Sequence, residues 1–191
     1  MGLERLLAFI VGILVAMHII DRRGGGGGGG IGTPIRSYKW KHKRGKFKPT
    51  TDKFIDLRDK RLSDISHLSE RTGVSELILS NNRIVDITPL YNLTNLQKLY
   101  LDHNRIEDIA TLRHLPNLTH LYLSYNKIAD ISFLREFARL EMLDLSDNNI
   151  SDITPLLSLT GLQTLKLKGN TISEEQVKQL QDTLRKCRIY I

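Results

Sequence analysis

One period of 22 residues runs through most of this chain and limits what it can fold into. Asn82, Asn104, Asn126, Asn148 and Asn170 follow one another at that step, and Lys60 stands in the same place one step earlier. Asp64, Asp86, Asp108, Asp130 and Asp152 keep the step too. So do the aliphatic pairs Ile55/Leu57, Leu77/Leu79, Leu99/Leu101, Leu121/Leu123, Leu143/Leu145 and Leu165/Leu167. The repeated unit reads L-x-x-L-x-L-x-x-N-x-I-x-D-I-x-x-L. Self-similarity at this length marks a solenoid, in which each repeat stacks on its neighbours and shares one core with them. Such a fold presents a long curved surface, which favours binding over catalysis.

Each part of the unit has a physical role. Alternation in L-x-L sends both leucines to one face of a short strand and the residue between them to the other. Parallel strands of successive repeats, stacked at about 4.8 Å, pool the leucines into one continuous core. The asparagine past the strand both donates and accepts, so from an inward position it can satisfy backbone groups freed where the chain leaves the ladder. The aspartate is placed to accept from nearby backbone amides in a tight turn or short helix. Pro89 and Pro155, at equivalent points of their repeats, keep that segment from becoming a ladder strand. Both polar ladders are what the fold itself needs, and a calcium or ligand array is the weaker reading.

The stretches LQKLYLDHNRIEDIATL (96–112), LTHLYLSYNKIADISFL (118–134) and LEMLDLSDNNISDITPL (140–156) closely resemble the leucine-rich repeat family. The I-x-D-I-x-x-L ending is similar to the 22-residue subclass of bacterial internalin-like proteins and of the leucine-rich regulatory subunit of protein phosphatase 1. The resemblance implies an α/β solenoid, a curved leucine-rich repeat with a parallel β-sheet on the concave face. Short 3-10 or turn segments would form the convex face. It also implies a binding function without naming the partner.

Both ends depart from the consensus. Lys60 replaces asparagine in the first unit, which suits a terminal repeat. At the other end Ser173 and Gln176 form a capping-box pair, and Val177, Leu180, Gln181 and Leu184 follow at helical spacing. Lys178, Arg185 and Lys186 would favour the C-terminal half of that helix's dipole. Adding one period to Leu165 and Leu167 places Cys187 and Ile189 on a final strand, so a capping helix and a seventh strand are expected to close the core. Cys187 is the only cysteine, which excludes an intrachain disulfide, and at an inward position it is expected to act as a small core residue.

Residues 1–23 are of another kind. Leu6–Ile20 is a charge-free apolar run, shorter than the roughly 20 residues of a full bilayer span. A signal peptide is one reading, but no small-x-small cleavage site follows; an uncleaved signal anchor is preferred. Met1-Gly2 does not open a myristoylation motif, because Leu6 stands where Ser or Thr is required. Arg22 and Arg23, on the C-terminal side with Arg36 and Lys39, outnumber Arg5. The positive-inside rule therefore leans the repeats towards the cytoplasm, whereas the internalin resemblance implies export. The expectation is a single-pass membrane protein, with secretion as the alternative.

Residues 24–51 form a Gly-rich and basic linker, and the six-repeat domain with its terminal strand occupies 52–191. Gly24–Gly30 is a flexible tether. Lys39, Trp40, Lys41, Lys43, Arg44 and Lys46 then mix cations with an aromatic, which suits an anionic lipid surface. A solvated linker and a nucleic-acid contact are the other readings, nucleic acid being the weakest. From Pro49 onward, 18 Lys and Arg face 19 Asp and Glu, so the repeats are near neutral.

The sequence holds no phosphate loop, no Cys/His metal spacing and no G-x-S-x-G motif. Neither an enzyme nor a cofactor or metal protein is expected. The expected function is a membrane-tethered, monomeric scaffold that binds a protein through its concave face. A regulatory subunit docking a phosphatase or other enzyme, and an exported adhesion or host-contact protein, are the alternatives. The outward strand positions nominate Ile78, Lys98, Tyr100, Asp102, His103, His120, Tyr122, Tyr125 and Asp144 as the partner-binding face. Aromatic residues concentrated on one surface are the usual chemistry of interface hot spots.

Overall fold

A computed structural model describes residues 52–191, and every structural statement below concerns those residues. Seven three-residue strands lie parallel in one sheet in chain order. They are β1 (Phe54–Asp56), β2 (Glu76–Ile78), β3 (Lys98–Tyr100), β4 (His120–Tyr122), β5 (Met142–Asp144), β6 (Thr164–Lys166) and β7 (Arg188–Tyr190). From β1 to β6 the register advances by one whole repeat, so that Leu77, Leu99, Leu121, Leu143 and Leu165 stand side by side. All five are fully buried, as are Leu79, Leu101, Leu123 and the isoleucines Ile84, Ile106, Ile128 and Ile150. The core is thus a stack of equivalent layers, as the alternation requires.

The asparagines bind those layers together. Asn126 Nδ2 donates to Leu101 O and Leu123 O, both at 3.0 Å, while its Oδ1 accepts from Ile106 N at 3.0 Å. Asn148 repeats the pattern one step on, donating to Leu123 O and Leu145 O and accepting from Ile128 N. Each leucine carbonyl at a layer boundary therefore accepts from two asparagines, one of its own repeat and one of the next. The inward ladder read from the sequence is present.

Opposite the sheet run five short 3-10 helices, Ser66–Leu68, Thr88–Leu90, Ala110–His114, Ser132–Glu136 and Thr154–Ser158. The ladder aspartates start them. Asp64, Asp86, Asp108, Asp130 and Asp152 each accept from the backbone N–H two residues on, at 2.8–2.9 Å. Pro89 and Pro155 occupy the first turns of their helices, where a missing N–H costs nothing.

The C-terminal helix α1 (Glu174–Thr183) carries the expected capping box. Ser173 Oγ accepts from Gln176 N at 3.2 Å, and Gln176 Oε1 accepts from Ser173 N at 3.0 Å. Leu180 and Leu184 are buried, but Gln181 is exposed. The helix stops one residue short of Leu184, so Arg185 and Lys186 lie beyond its last turn. Arg185 Nε instead caps it by donating to Asp182 O at 3.1 Å. The final strand forms in a different register from the simple period. Leu165 pairs with Ile189 rather than Cys187, because a ten-residue α-helix occupies a connection elsewhere made by a shorter 3-10 turn. Cys187 precedes the strand, half-buried against the core, and burial pushes its thiol pKa up.

The apolar run Leu6–Ile20, the polyglycine spacer and the basic residues Lys39, Trp40, Lys41, Lys43, Arg44 and Lys46 lie outside the described residues. Among the described residues no helix is long and apolar enough to cross a membrane.

Candidate protein-binding face

Alternation along each strand turns one residue out for every leucine turned in, and the unbroken register lines those residues up. Asp56, Ile78, Tyr100, Tyr122, Asp144, Lys166 and Tyr190 form the row along the C-terminal ends of the strands. At its middle the rings of Tyr100 and Tyr122 stack almost parallel, with centroids 4.5 Å apart and planes 5° off parallel. Both rings are half-buried, and that burial pushes both phenol pKa values up. Stacking occupies one face of each ring.

Ion pairs flank the stack. On the neighbouring row, which contains Glu76, Lys98 and His120 in register, Lys98 Nζ lies 3.8 Å from Glu76 Oε2. Across the other side Lys166 Nζ lies 3.2 Å from Asp144 Oδ2. His120 Nδ1 is 3.0 Å from Thr119 Oγ1. Past the strand ends a second aromatic pair forms the rim. His103 and Tyr125 stack at 4.2 Å and 9°, and Tyr125 is 51% exposed. The Asp147 carboxylate beside the Tyr125 hydroxyl raises that phenol's pKa. Asp102 Oδ1 accepts from Ser80 Oγ at 2.7 Å.

Seven of the nine nominated residues therefore remain open on this face: Lys98, Tyr100, Asp102, His103, His120, Tyr122 and Tyr125. Ile78 does not. The sequence reading took it as exposed, but it is 7% exposed, at an outward position flanked in register by Tyr100. Its neighbour in the row on the other side is Asp56. Asp144 is buried as well, its carboxylate engaged by Lys166 and by Ser146 N at 3.1 Å. These two residues hold the face in shape.

Two features escaped the nominated set. Glu76 and Lys166 supply the partner charges of the ion pairs, and opposite charges one repeat apart were the available signal. The eighth position of every repeat is left-handed: Asp59, Asn81, His103, Tyr125, Asp147 and Gly169 have φ between 52° and 76°. Asp, Asn and Gly suit that region, and their recurrence there was a legible sign. His103 and Tyr125 adopt it without such ease, held by backbone bonds from His103 N to Ser124 O and from Tyr125 N to Ser146 O. No group of three or more His, Cys, Asp and Glu side chains among the described residues is placed to hold a metal ion.

A sheet of whole-repeat register, an inward asparagine ladder and an outward face of paired charges and aromatics together define a leucine-rich repeat binding module. The family described as Leucine Rich repeats (2 copies) matches residues 72–114, 94–136 and 138–181, and the chain belongs to it. Among solved structures it is similar to internalin C2 of Listeria monocytogenes, at 38% identity over 71% of this chain and 58% of that one, with a TM-score of 0.65. An internalin of the same organism, InlF, is 31% identical over 72% of this chain and 39% of its own, with a TM-score of 0.64. A leucine-rich repeat protein of Leptospira interrogans is 26% identical over 71% of this chain and 35% of its own, with a TM-score of 0.62. The chain thus spans under two thirds of each of these proteins. No curated protein matches it.

Proposed function

We propose that the repeat domain binds a protein partner through its concave face, centred on the Tyr100–Tyr122 stack, and that residues 1–23 tether it to a membrane. The stack is the observation that carries the reading. Two ordered rings stand at the centre of a face whose flanking charges are already paired. A partner covering them buries aromatic area without stranding a charge, which is the chemistry of a hot spot. Lys98, Asp102, His103, His120 and Tyr125 surround it as the polar rim. Ile78 and Asp144 act from beneath. The basic segment from Lys39 to Lys46 lies against anionic headgroups on this reading.

Affinity purification with the apolar segment removed, followed by the same purification with Tyr100→Ala and Tyr122→Ala, tests the binding half. The partner should be lost with the tyrosine pair and kept with the convex pair Arg113→Ala and Arg135→Ala; the opposite result rejects the concave face. Vesicle flotation of the full chain against a chain lacking residues 1–23 tests the tether. A mature chain that begins after Ile20 would identify the segment as a signal peptide instead.

Likeness to internalins favours a second reading, an exported adhesion or host-contact protein. Protease accessibility of the repeats in intact cells separates the two. Cleavage from outside supports export, and protection supports the cytoplasmic side.

A further inference from the structure

Directly after the ladder asparagine, one position carries a cation in four successive repeats: Arg61, Arg83, Arg105 and Lys127. All four are exposed. They stand in one column, because Arg83 N donates to Leu62 O, Arg105 N to Ile84 O and Lys127 N to Ile106 O, at 2.8–2.9 Å. Successive strands lie about 4.8 Å apart, so the column brings like charges close together. The fold does not call for it. Asn149 fills the next place in the column and makes the same backbone bond, to Ile128 O at 2.9 Å.

Four cations of the domain stand in ion pairs, Arg58 with Asp56 among them. Lys98 and Lys166 have carboxylates on the concave face, and in the column Lys127 finds Glu107 at 3.2 Å. Among the described residues, Arg61, Arg83 and Arg105 have no carboxylate within ion-pair distance. The aspartates three residues further on turn away from them: Asp64, Asp86 and Asp108 accept from the N–H groups that start the 3-10 helices. Three guanidinium groups are left open along one edge of a domain whose total charge is close to balanced.

We infer that this edge is a docking surface for anionic lipid headgroups, which sets the repeat domain on its side against the membrane. The inference rests on the tethered reading above. The column begins in the first repeat of the sequence, and the sequence leading into that repeat is itself basic and aromatic from Arg36 to Lys48. Guanidinium groups bind phosphate and carboxylate oxygens in pairs and are weakly hydrated, which suits them to headgroups. A nucleic-acid strand would want aromatic platforms between the cations, and the column has none. With this edge down, the concave face opens sideways, parallel to the membrane, towards a partner on the same surface.

The test uses the full chain on vesicles of pure phosphatidylcholine and of phosphatidylcholine with phosphatidylserine. Phenylglyoxal modification is followed residue by residue by peptide mass mapping. Arg61, Arg83 and Arg105 should react at least fivefold more slowly on the phosphatidylserine vesicles, while convex Arg113 and Arg135 react alike on both. Equal reactivity of the column on the two vesicles, or slowing of the convex arginines to the same degree, overturns the inference. If the chain floats with phosphatidylcholine vesicles but the column stays reactive, the tether stands and the docking edge falls. A chain that floats with neither vesicle removes both. If a single-stranded oligonucleotide without vesicles protects the same three arginines equally, the lipid assignment is wrong. A variant with Arg61→Gln, Arg83→Gln and Arg105→Gln, confirmed folded by its circular dichroism, should still float but lose the extra retention that phosphatidylserine gives in low salt.

Discussion

The inward and outward residues of the same strands obey different rules. Inward, the positions of Leu77, Leu99, Leu121, Leu143 and Leu165 are identical through five repeats and fully buried. Outward, their immediate neighbours are Ile78, Tyr100, Tyr122, Asp144 and Lys166, all but the two tyrosines chemically different. One backbone carries both sets, so geometry cannot explain the contrast. Repetition marks what stacking demands, because each layer must fit the next at native packing density. Variation marks what the fold leaves free, and there a binding surface can be written.

The largest effect should separate binding from folding on the outward face. Tyr100→Ala with Tyr122→Ala is expected to weaken partner binding by roughly 4 kcal/mol, in the range of paired hot-spot residues. Folding should fall by less, about 1–3 kcal/mol, since the half-buried rings lose their stacking and part of their buried area. Calorimetric titration alongside a urea melt measures both. A larger loss in the melt than in the titration would place the tyrosines with the core.

Ile78 is where the contrast should fail. It sits at an outward position but is buried, so Ile78→Ala should cost about 2–4 kcal/mol of folding, as a core truncation does. A urea midpoint equal to that of wild type would mean its neighbours do not cover it. Asn126→Ala tests the inward side directly. It leaves Ile106 N without its side-chain partner, takes from Leu101 O and Leu123 O one of their two asparagine donors and should cost about 1–3 kcal/mol.

These cases also show how far the sequence could be read. Strand positions and the Ser173–Gln176 box depend on residues within one period, the ladder bonds on one residue recurring at every period, and each was legible. Burial of Ile78 depends on what surrounds it across the sheet, where Asp56 and Tyr100 are its register neighbours, and no local pattern announces it. The β7 register depends on how much chain α1 consumes between Asn170 and Arg188. Extrapolating a period cannot see that a three- to five-residue 3-10 turn has been replaced by a ten-residue helix. On the candidate face, the positions were legible from alternation, but which charges would pair was not.

A smaller effect belongs to the aspartates of the convex turns. Ser66 N–H bonding to Asp64, Ser132 N–H bonding to Asp130, and the Thr154 hydroxyl and N–H beside Asp152 hold these carboxyl pKa values below the ordinary range. A group whose folded pKa is depressed stabilises fully above its unfolded value, and that stabilisation is lost as pH falls through the folded one. Wild type should therefore be more stable than the variant with all three changed to Asn at pH 7. The gap should close below about pH 4. A gap that stayed constant down to pH 2 would show that the charge of these carboxylates contributes nothing.

The smallest effect should come from Lys60, which holds the asparagine place in the first repeat. Asn82 already serves this end of the ladder, its Oδ1 accepting from both Lys60 N at 3.1 Å and Leu62 N at 2.9 Å. The other ladder asparagines accept from one backbone N–H of the preceding repeat, so Asn82 has taken on an additional one. The Lys60 side chain is exposed and makes no ion pair among the described residues. Lys60→Ala should then change folding by less than about 0.5 kcal/mol, as surface substitutions do. Lys60→Asn sharpens the point, since it restores the consensus where no preceding layer stands among the described residues for the amide to bind. If Lys60→Asn stabilised the protein as much as Asn126→Ala destabilises it, the ladder would be a property of each repeat alone. Near neutrality in both variants would show that an asparagine gains its energy only between two layers, and so that the ladder belongs to the stack.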